Sequence, residues 1–259
     1  MASSIVTPTS VGTCVVVVTR AADTNYTAQT LTSNVSITQA TQASVSVTSA
    51  TTVVYGSTLT LTASGGSGSG AFEYAVVTGD CTLAGDVLNS GSVGDCVVKA
   101  RRLSSTNYLD SSWSSNVTVS VTAKPITLTV APVDRQWNGG TTVSLTATTT
   151  SSLTGIEAGD SVTVDNAKLS ASVATAAVGA NKAVTVTVSA GYIGGTDAGN
   201  YQLPTIAGSP TVNITRANQA SLSFTSATSM FYGQSITLAA TGGSGTGALS
   251  YSVVSGSCS

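Results

Sequence analysis

Two stretches of this chain are copies of one another. Residues 42–81 read QASVSVTSATTVVYGSTLTLTASGGSGSGAFEYAVVTGDC, and residues 219–258 read QASLSFTSATSMFYGQSITLAATGGSGTGALSYSVVSGSC; they align without a gap and share 24 of 40 positions. Self-similarity at a fixed spacing is the mark of a repeat architecture. A second match has an offset of 82. Cys14–Val15–Val16, Arg20, Asn25–Tyr26 and Asn34–Val35 correspond to Cys96–Val97–Val98, Arg102, Asn107–Tyr108 and Asn116–Val117. The first match reads as the front half of a domain and the second as its back half. Only residues 42–123 carry both halves in order.

The other copy is split, with its front half at 219–259 and its back half at 1–41. When the end of the sequence is joined to its start, 14 residues separate Cys258 from Cys14, as 14 separate Cys81 from Cys96. Ile5–Val6 then falls on Val87–Leu88, and Ser10–Val11–Gly12 on Ser92–Val93–Gly94. With 124–218 as a further domain, the sequence reads as one full period of a head-to-tail array. Two explanations stand: one repeat of a longer repetitive chain, or a subunit whose neighbour supplies the missing half-domain. Coincidence is the third. Residues 1–20 lack a basic stretch followed by an apolar core and so do not read as a signal peptide.

The repeated units are β-structured. Thr58–Ala63, Asn116–Val121 and Ala183–Val188 alternate with a period of two, and turns rich in Gly, Ser, Asn and Asp separate such runs. Val and Thr suit a pleated surface, with hydroxyls in place of charges on the outer face. No window shows sustained helical spacing, and no run approaches the ~18 apolar residues of a membrane-spanning helix. The expected fold class is all-β, with tandem sandwich domains.

Composition narrows the chemistry. Without a single histidine there is no Ser-His or Cys-His pair and no His-ligated metal. A net charge of -2, with only 8% charged residues, argues against a nucleic-acid partner. No cofactor is expected, and no enzymatic activity.

The Tyr-Gly pairs (Tyr55–Gly56, Tyr232–Gly233), the Gly-Gly-Ser-Gly-x-Gly-Ala loops (65–71, 242–248) and Cys-Val-Val followed by Asn-Tyr resemble bacterial immunoglobulin-like repeats of the MBG type. Residues 124–218 resemble a YDG-type repeat through Ala158–Gly159–Asp160–Ser161–Val162 and Asp197–Ala198–Gly199–Asn200–Tyr201. The name-giving Tyr-Asp-Gly stands here as Trp137–Asn138–Gly139. The resemblance implies immunoglobulin-like β-sandwich spacers, built in tandem in large secreted or surface proteins and adhesins, with no catalytic residues to carry over.

Cys81 and Cys96 read as an intradomain disulfide, two free buried thiols being the alternative. Their homologues Cys14 and Cys258 are expected to bond across the repeat or subunit boundary. Paired cysteines point to an oxidising, extracellular or cell-surface location. The Gly-rich loops lack the following Lys-Ser/Thr of a phosphate loop and read as inter-strand connections. Asp80, Asp86 and Asp95, and Glu157, Asp160 and Asp165, are raw material for a weak calcium site, but solvated turns are the plainer reading. Tyr26, Tyr55, Tyr108, Tyr201 and Tyr232 read as buried corners of sandwiches. Asn25, Asn34, Asn116 and Asn213 lie in glycosylation sequons.

A lone half-domain should expose apolar strand edges, which are templates for strand addition. The expected assembly strands carry Val15, Val16, Val17 and Val18 in the back half. In the front half they carry Ile236 and Leu238 (over 236–240) and Leu249, Tyr251 and Val253 (over 249–254). The expected function is a structural repeat unit of an extracellular fibre, sheath or surface-protein stalk, with itself as partner. The alternative is an adhesin module binding a host surface or glycan through Lys99, Arg101 and Trp113. These residues break the repeat symmetry, mapping onto Val17, Thr19 and Leu31.

Overall fold

The computed structural model describes residues 5–258. No α-helix occurs among them, only three-residue 3-10 turns at Thr150–Ser152, Asn166–Lys168 and Ala198–Asn200. The chain is all-β and is carried by several small sheets, consistent with β-sandwich architecture. The contacts divide it into two compact units. One holds residues up to Thr129 with Thr148–Lys168 and Val188–Ala207; the other holds Val130–Ala147, Leu169–Thr187 and residues from Gly208 onward.

The first unit begins with an antiparallel hairpin of β1 (Gly12–Arg20) and β2 (Gln29–Ile37), which among the described residues pair with no other strand. A two-stranded ribbon cannot bury both its faces, and Val15, Val17, Val18 and Leu31 are exposed.

Residues 42–123 supply β3 (Val45–Val47), β4 (Thr52–Val54), β5 (Thr58–Thr60), β6 (Ala63–Gly65), β7 (Phe72–Thr78), β8 (Cys81–Ala84), β9 (Val87–Ser90), β10 (Gly94–Arg102) and β11 (Val117–Thr122). They form a four-stranded sheet of order β4-β11-β10-β7, a three-stranded sheet β5-β9-β8 and the pair β3-β6. Strand β10 shows why the sequence folds so. Cys96, Val98 and Ala100 alternate with Val97, Lys99 and Arg101, and the first set is fully buried. Val119 and Val121 of β11, with Leu61 and Leu88, complete the apolar interior. Cys81 and Cys96 are disulfide-bonded, with their Cα atoms 6.3 Å apart, within the usual span.

In residues 124–218 the first unit holds β12 (Thr127–Leu128), β14 (Leu153–Thr154), β15 (Thr163–Val164), β18 (Ile193–Gly194) and β19 (Thr205–Ile206), arranged as β14-β12-β19 and β15-β18. The second unit holds β13 (Arg135–Gln136), β16 (Leu169–Val173), β17 (Gly179–Val188) and β20 (Thr211–Thr215), in the order β13-β20-β17-β16. Its core gathers Val143, Ala171, Val173, Val184, Val212 and Ile214. The second unit ends with the hairpin of β21 (Leu222–Phe224) and β22 (Ala240–Gly242).

Two expectations are corrected. The strand expected over 249–254 is not formed, and of the one expected over 236–240 only Ala240 is paired, as the first residue of β22: Ile236, Leu238, Leu249, Tyr251 and Val253 lie in unpaired segments. The physical reason lies in the complete copy. There β5 pairs with β9, β7 with β10, and β4 with β11, so each of these front-half strands takes its partner from the back half. The pair β3-β6 is internal to the front half, and its counterpart β21-β22 persists in the same register, Leu222 opposite Gly242 as Val45 is opposite Gly65. Likewise β10-β11 is internal to the back half, and its counterpart β1-β2 persists.

The second correction concerns alignment. Cys14 lies opposite Val35, and Cys96 opposite Val119, so Val35 corresponds to Val119 and not to Val117. The complete copy carries two extra residues in the connection before β11. The run Val-Thr-Val-Ser-Val hides such a shift, because a displacement by two keeps every side chain on its face.

Candidate functional site

Matched positions show where the split copy is open. Tyr55 is 7% exposed and its counterpart Tyr232 107%; Leu61 is 1% exposed and Leu238 44%. Val45, Val53 and Leu88 are buried, whereas Leu222, Met230 and Val6 are exposed. Of the expected assembly residues, Val18 and Leu238 follow this pattern against buried Ala100 and Leu61, and the others match half-buried positions or are themselves half-buried. Val15, Val17 and Val18 are exposed on β1, as are Leu238, Leu249, Tyr251 and Val253, while Val16 and Ile236 are half-buried. Cys14 is a half-buried free thiol and Cys258 an exposed one.

The complete copy also shows what holds its halves together. Arg102 donates from Nε to the Gly70 carbonyl and from Nη1 to that of Gly65, each at 2.9 Å, with its guanidinium 4.8 Å from the Phe72 ring centroid. Gln42 works from the other side. Its Oε1 accepts the Ser67 and Gly68 N–H groups, and its Nε2 donates to the carbonyls of Arg102, Leu103 and Leu109. The Gly-rich loop is thus clamped by side chains of its own fold. In the split copy Gln219 Oε1 already accepts Ser244 and Gly245 N–H, at 2.6 and 2.8 Å.

A junction recurs between successive segments. Val11 N–H donates to Asn107 Oδ1 and Val93 N–H to Asn200 Oδ1, both at 3.0 Å. Ala40 N–H donates to the Asn107 carbonyl and the Ala40 carbonyl accepts from Leu109 N–H; Lys124 does the same with Asn200 and Gln202. Ala40 and Lys124 form parallel bridges with Tyr108 and Tyr201. The Asn-Tyr dipeptide is therefore read by the preceding segment through its backbone.

At the second junction, Tyr55 meets Tyr201 edge to face, and both hydroxyls donate to Asp160 Oδ2. The Tyr201 hydroxyl also accepts from Glu157 N–H at 2.8 Å, and Glu157 is ion-paired with Lys124. Burial, then the bond to Asp160, pushes the Tyr55 phenol up to about 12 and drives Tyr201 upward as well. Tyr55 and Tyr201 thus bind two segments, where the sequence reading made them corners within one; Tyr26 and Tyr232 are exposed. Composition gave no signal for this. Asn-Tyr recurring once per segment was the one available clue.

The remaining candidates take structural partners. Lys99 Nζ and Arg101 Cζ lie 4.8 and 4.9 Å from the Trp113 ring centroid, and Arg101 is paired with Glu73 and Asp110. Asp95 accepts from Ser120 Oγ, and Asp165 from Ala167 N–H. No group of three acidic or cysteine side chains able to hold a metal occurs among the described residues. Asn213 Nδ2, the sequon nitrogen, donates to Asp134 Oδ2.

These features define an all-β chain whose segments are joined by one repeated backbone junction. A YDG domain is found at residues 122–209, the stretch that holds Trp137, Asp160, Asn200 and Tyr201. No curated protein and no solved structure matches the chain.

Proposed function

We propose that this chain is a structural repeat unit of an extracellular fibre, sheath or surface-protein stalk. It assembles head to tail as residues 219–259 of one unit and residues 1–41 of the next complete one immunoglobulin-like domain of the MBG kind. The next unit is either a second subunit or the following repeat of a longer chain. The supporting observation is the contrast at matched positions: Val45, Val53, Tyr55, Leu61, Leu88 and Ala100 are buried, whereas Leu222, Met230, Tyr232, Leu238, Val6 and Val18 are exposed, and among the described residues the two halves form only hairpins internal to a half. Burying one such Val, Leu or Tyr stabilises by roughly 1.5–3 kcal/mol gross, before ordering entropy is subtracted. Pairing Cys14 with Cys258 of the neighbour would lock the joint covalently, in keeping with an oxidising compartment. A glycan-binding role for Lys99, Arg101 and Trp113 draws no support from their geometry, since the indole already holds both cations.

Sedimentation velocity with non-reducing and reducing gels tests this proposal. The expected outcome is concentration-dependent oligomers and a covalent ladder that reductant collapses. A monomer at every concentration, with both thiols still free under oxidising conditions, overturns it.

A further inference from the structure

The junction frame occurs a third time without an occupant. In each of three places a Val-Gly pair opens a long strand, with Gly12 opposite Ile37, Gly94 opposite Val121 and Gly179 opposite Ile214. The linker residue comes three positions later: Ala40, Lys124 and, in the third frame, Ala217. The flanking sequences agree, Ile37-Thr38-Gln39-Ala40-Thr41-Gln42 with Ile214-Thr215-Arg216-Ala217-Asn218-Gln219. The aromatic agrees too. Tyr55 N–H donates to the Thr122 carbonyl at 2.9 Å and Trp137 N–H to that of Thr215 at 2.8 Å, so Trp137 stands where Tyr55 stands. Yet Trp137, Val178, Ala217 and Gln219 line an open cleft of about 290 Å³. Trp137 and Val178 are each 48% exposed.

Asn-Tyr occurs three times in the chain, and the pairs at 107–108 and 200–201 are already held at junctions. The third, Asn25–Tyr26, is exposed. Its loop is already shaped: Asp23 N–H donates to the Tyr26 carbonyl at 3.0 Å, as Ser105 N–H does to that of Tyr108 at 2.9 Å. We infer that the Trp137–Val178–Ala217 cleft is the socket for Asn25–Tyr26 of a second copy of this chain. Val178 N–H donates to Asn25 Oδ1, Ala217 N–H to the Asn25 carbonyl, and Thr27 N–H to the Ala217 carbonyl, while the Trp137 indole packs on the Tyr26 ring. The inference rests on the completion proposal and names the contact that sets its register.

The test uses the full chain carrying Trp113→Phe, so that Trp137 is the sole indole, and follows association by sedimentation and emission by fluorescence. Association should bring a blue shift of Trp137. Tyr26→Ala, a change at an exposed ring, should remove the shift and weaken association about three- to tenfold, while Tyr26→Phe restores both. Association that proceeds with unshifted Trp137 emission and undiminished in Tyr26→Ala overturns the socket and leaves completion standing. Absence of association overturns both. A blue shift in the monomer that is independent of concentration and removed by Tyr26→Ala overturns the second copy as occupant.

Discussion

Tyr55 lies edge-on to Tyr201, with ring centroids 5.6 Å apart and planes at 84°, and the two hydroxyls share one oxygen of Asp160. Three groups from separate stretches of sequence thus meet in a buried knot where one segment joins the next. The phenols must stay protonated to donate. Burial first, and the Asp160 carboxylate second, raise Tyr55 from 10.0 to about 12. A group whose folded value lies above its unfolded one gives stability that is complete below the unfolded value and lost through the folded one. Thermal stability should therefore hold up to about pH 10 and fall from there through about pH 12. Tyrosinate absorbance should rise with the loss, and Tyr55→Phe should flatten part of the decline.

Replacing the shared acceptor should cost more than removing either donor. Asp160→Ala leaves two buried hydroxyls without their acceptor, and denaturant titration should show a loss of roughly 1–3 kcal/mol. Tyr55→Phe keeps the ring contact and should lose about 1 kcal/mol.

The Cys81–Cys96 bond closes a loop with a sequence separation of 15. Chain entropy assigns such a loop about 3 kcal/mol. The paired Cys81→Ser, Cys96→Ser variant should lose at least that much, because it also sets a hydroxyl at the buried Cys96 position. Urea midpoints of the variant and the oxidised parent measure the difference.

Gly65 and Gly94 separate steric from conformational cost. Both have positive φ, +95° and +146°, but a Cβ on Gly65 would lie 2.1 Å from the Ser44 carbonyl oxygen, whereas one on Gly94 meets nothing within 4 Å. Gly94→Ala should cost about 1–2 kcal/mol from backbone conformation alone. Gly65→Ala should cost more, since the backbone at Ser44, just before β3, must move; thermal melts of the two rank them.

The fold class was legible in the sequence because alternation and low charge leave few other structures open, as β10 illustrates with Cys96, Val98 and Ala100. The exposed Val15, Val18 and Leu238 lie where the repeat placed apolar strand edges, whereas Tyr232, read as a buried corner, is exposed. Strand formation at Leu249–Val254 was not legible, because alternation records a capacity to pair and a partner decides whether pairing occurs. The two-residue offset at Val35 was hidden by a run in which every second residue is alike. The junction knot escaped for another reason. Asp160, Tyr201 and Tyr55 lie far apart in sequence, and no local period connects them.

The half-clamp at Gln219 carries a kinetic consequence. Its Oε1 fixes the Ser244–Gly245 turn before any neighbour arrives, so the conformational entropy of that loop is lost during folding and not at encounter. A docking neighbour meets a loop already set, with the Gln219 carboxamide presented as a donor. What remains to be paired are the unpaired runs around Ile236–Leu238 and from Leu249 to Val254. In the proposed assembly, growth should therefore be timed by the zippering of those two segments onto the neighbour.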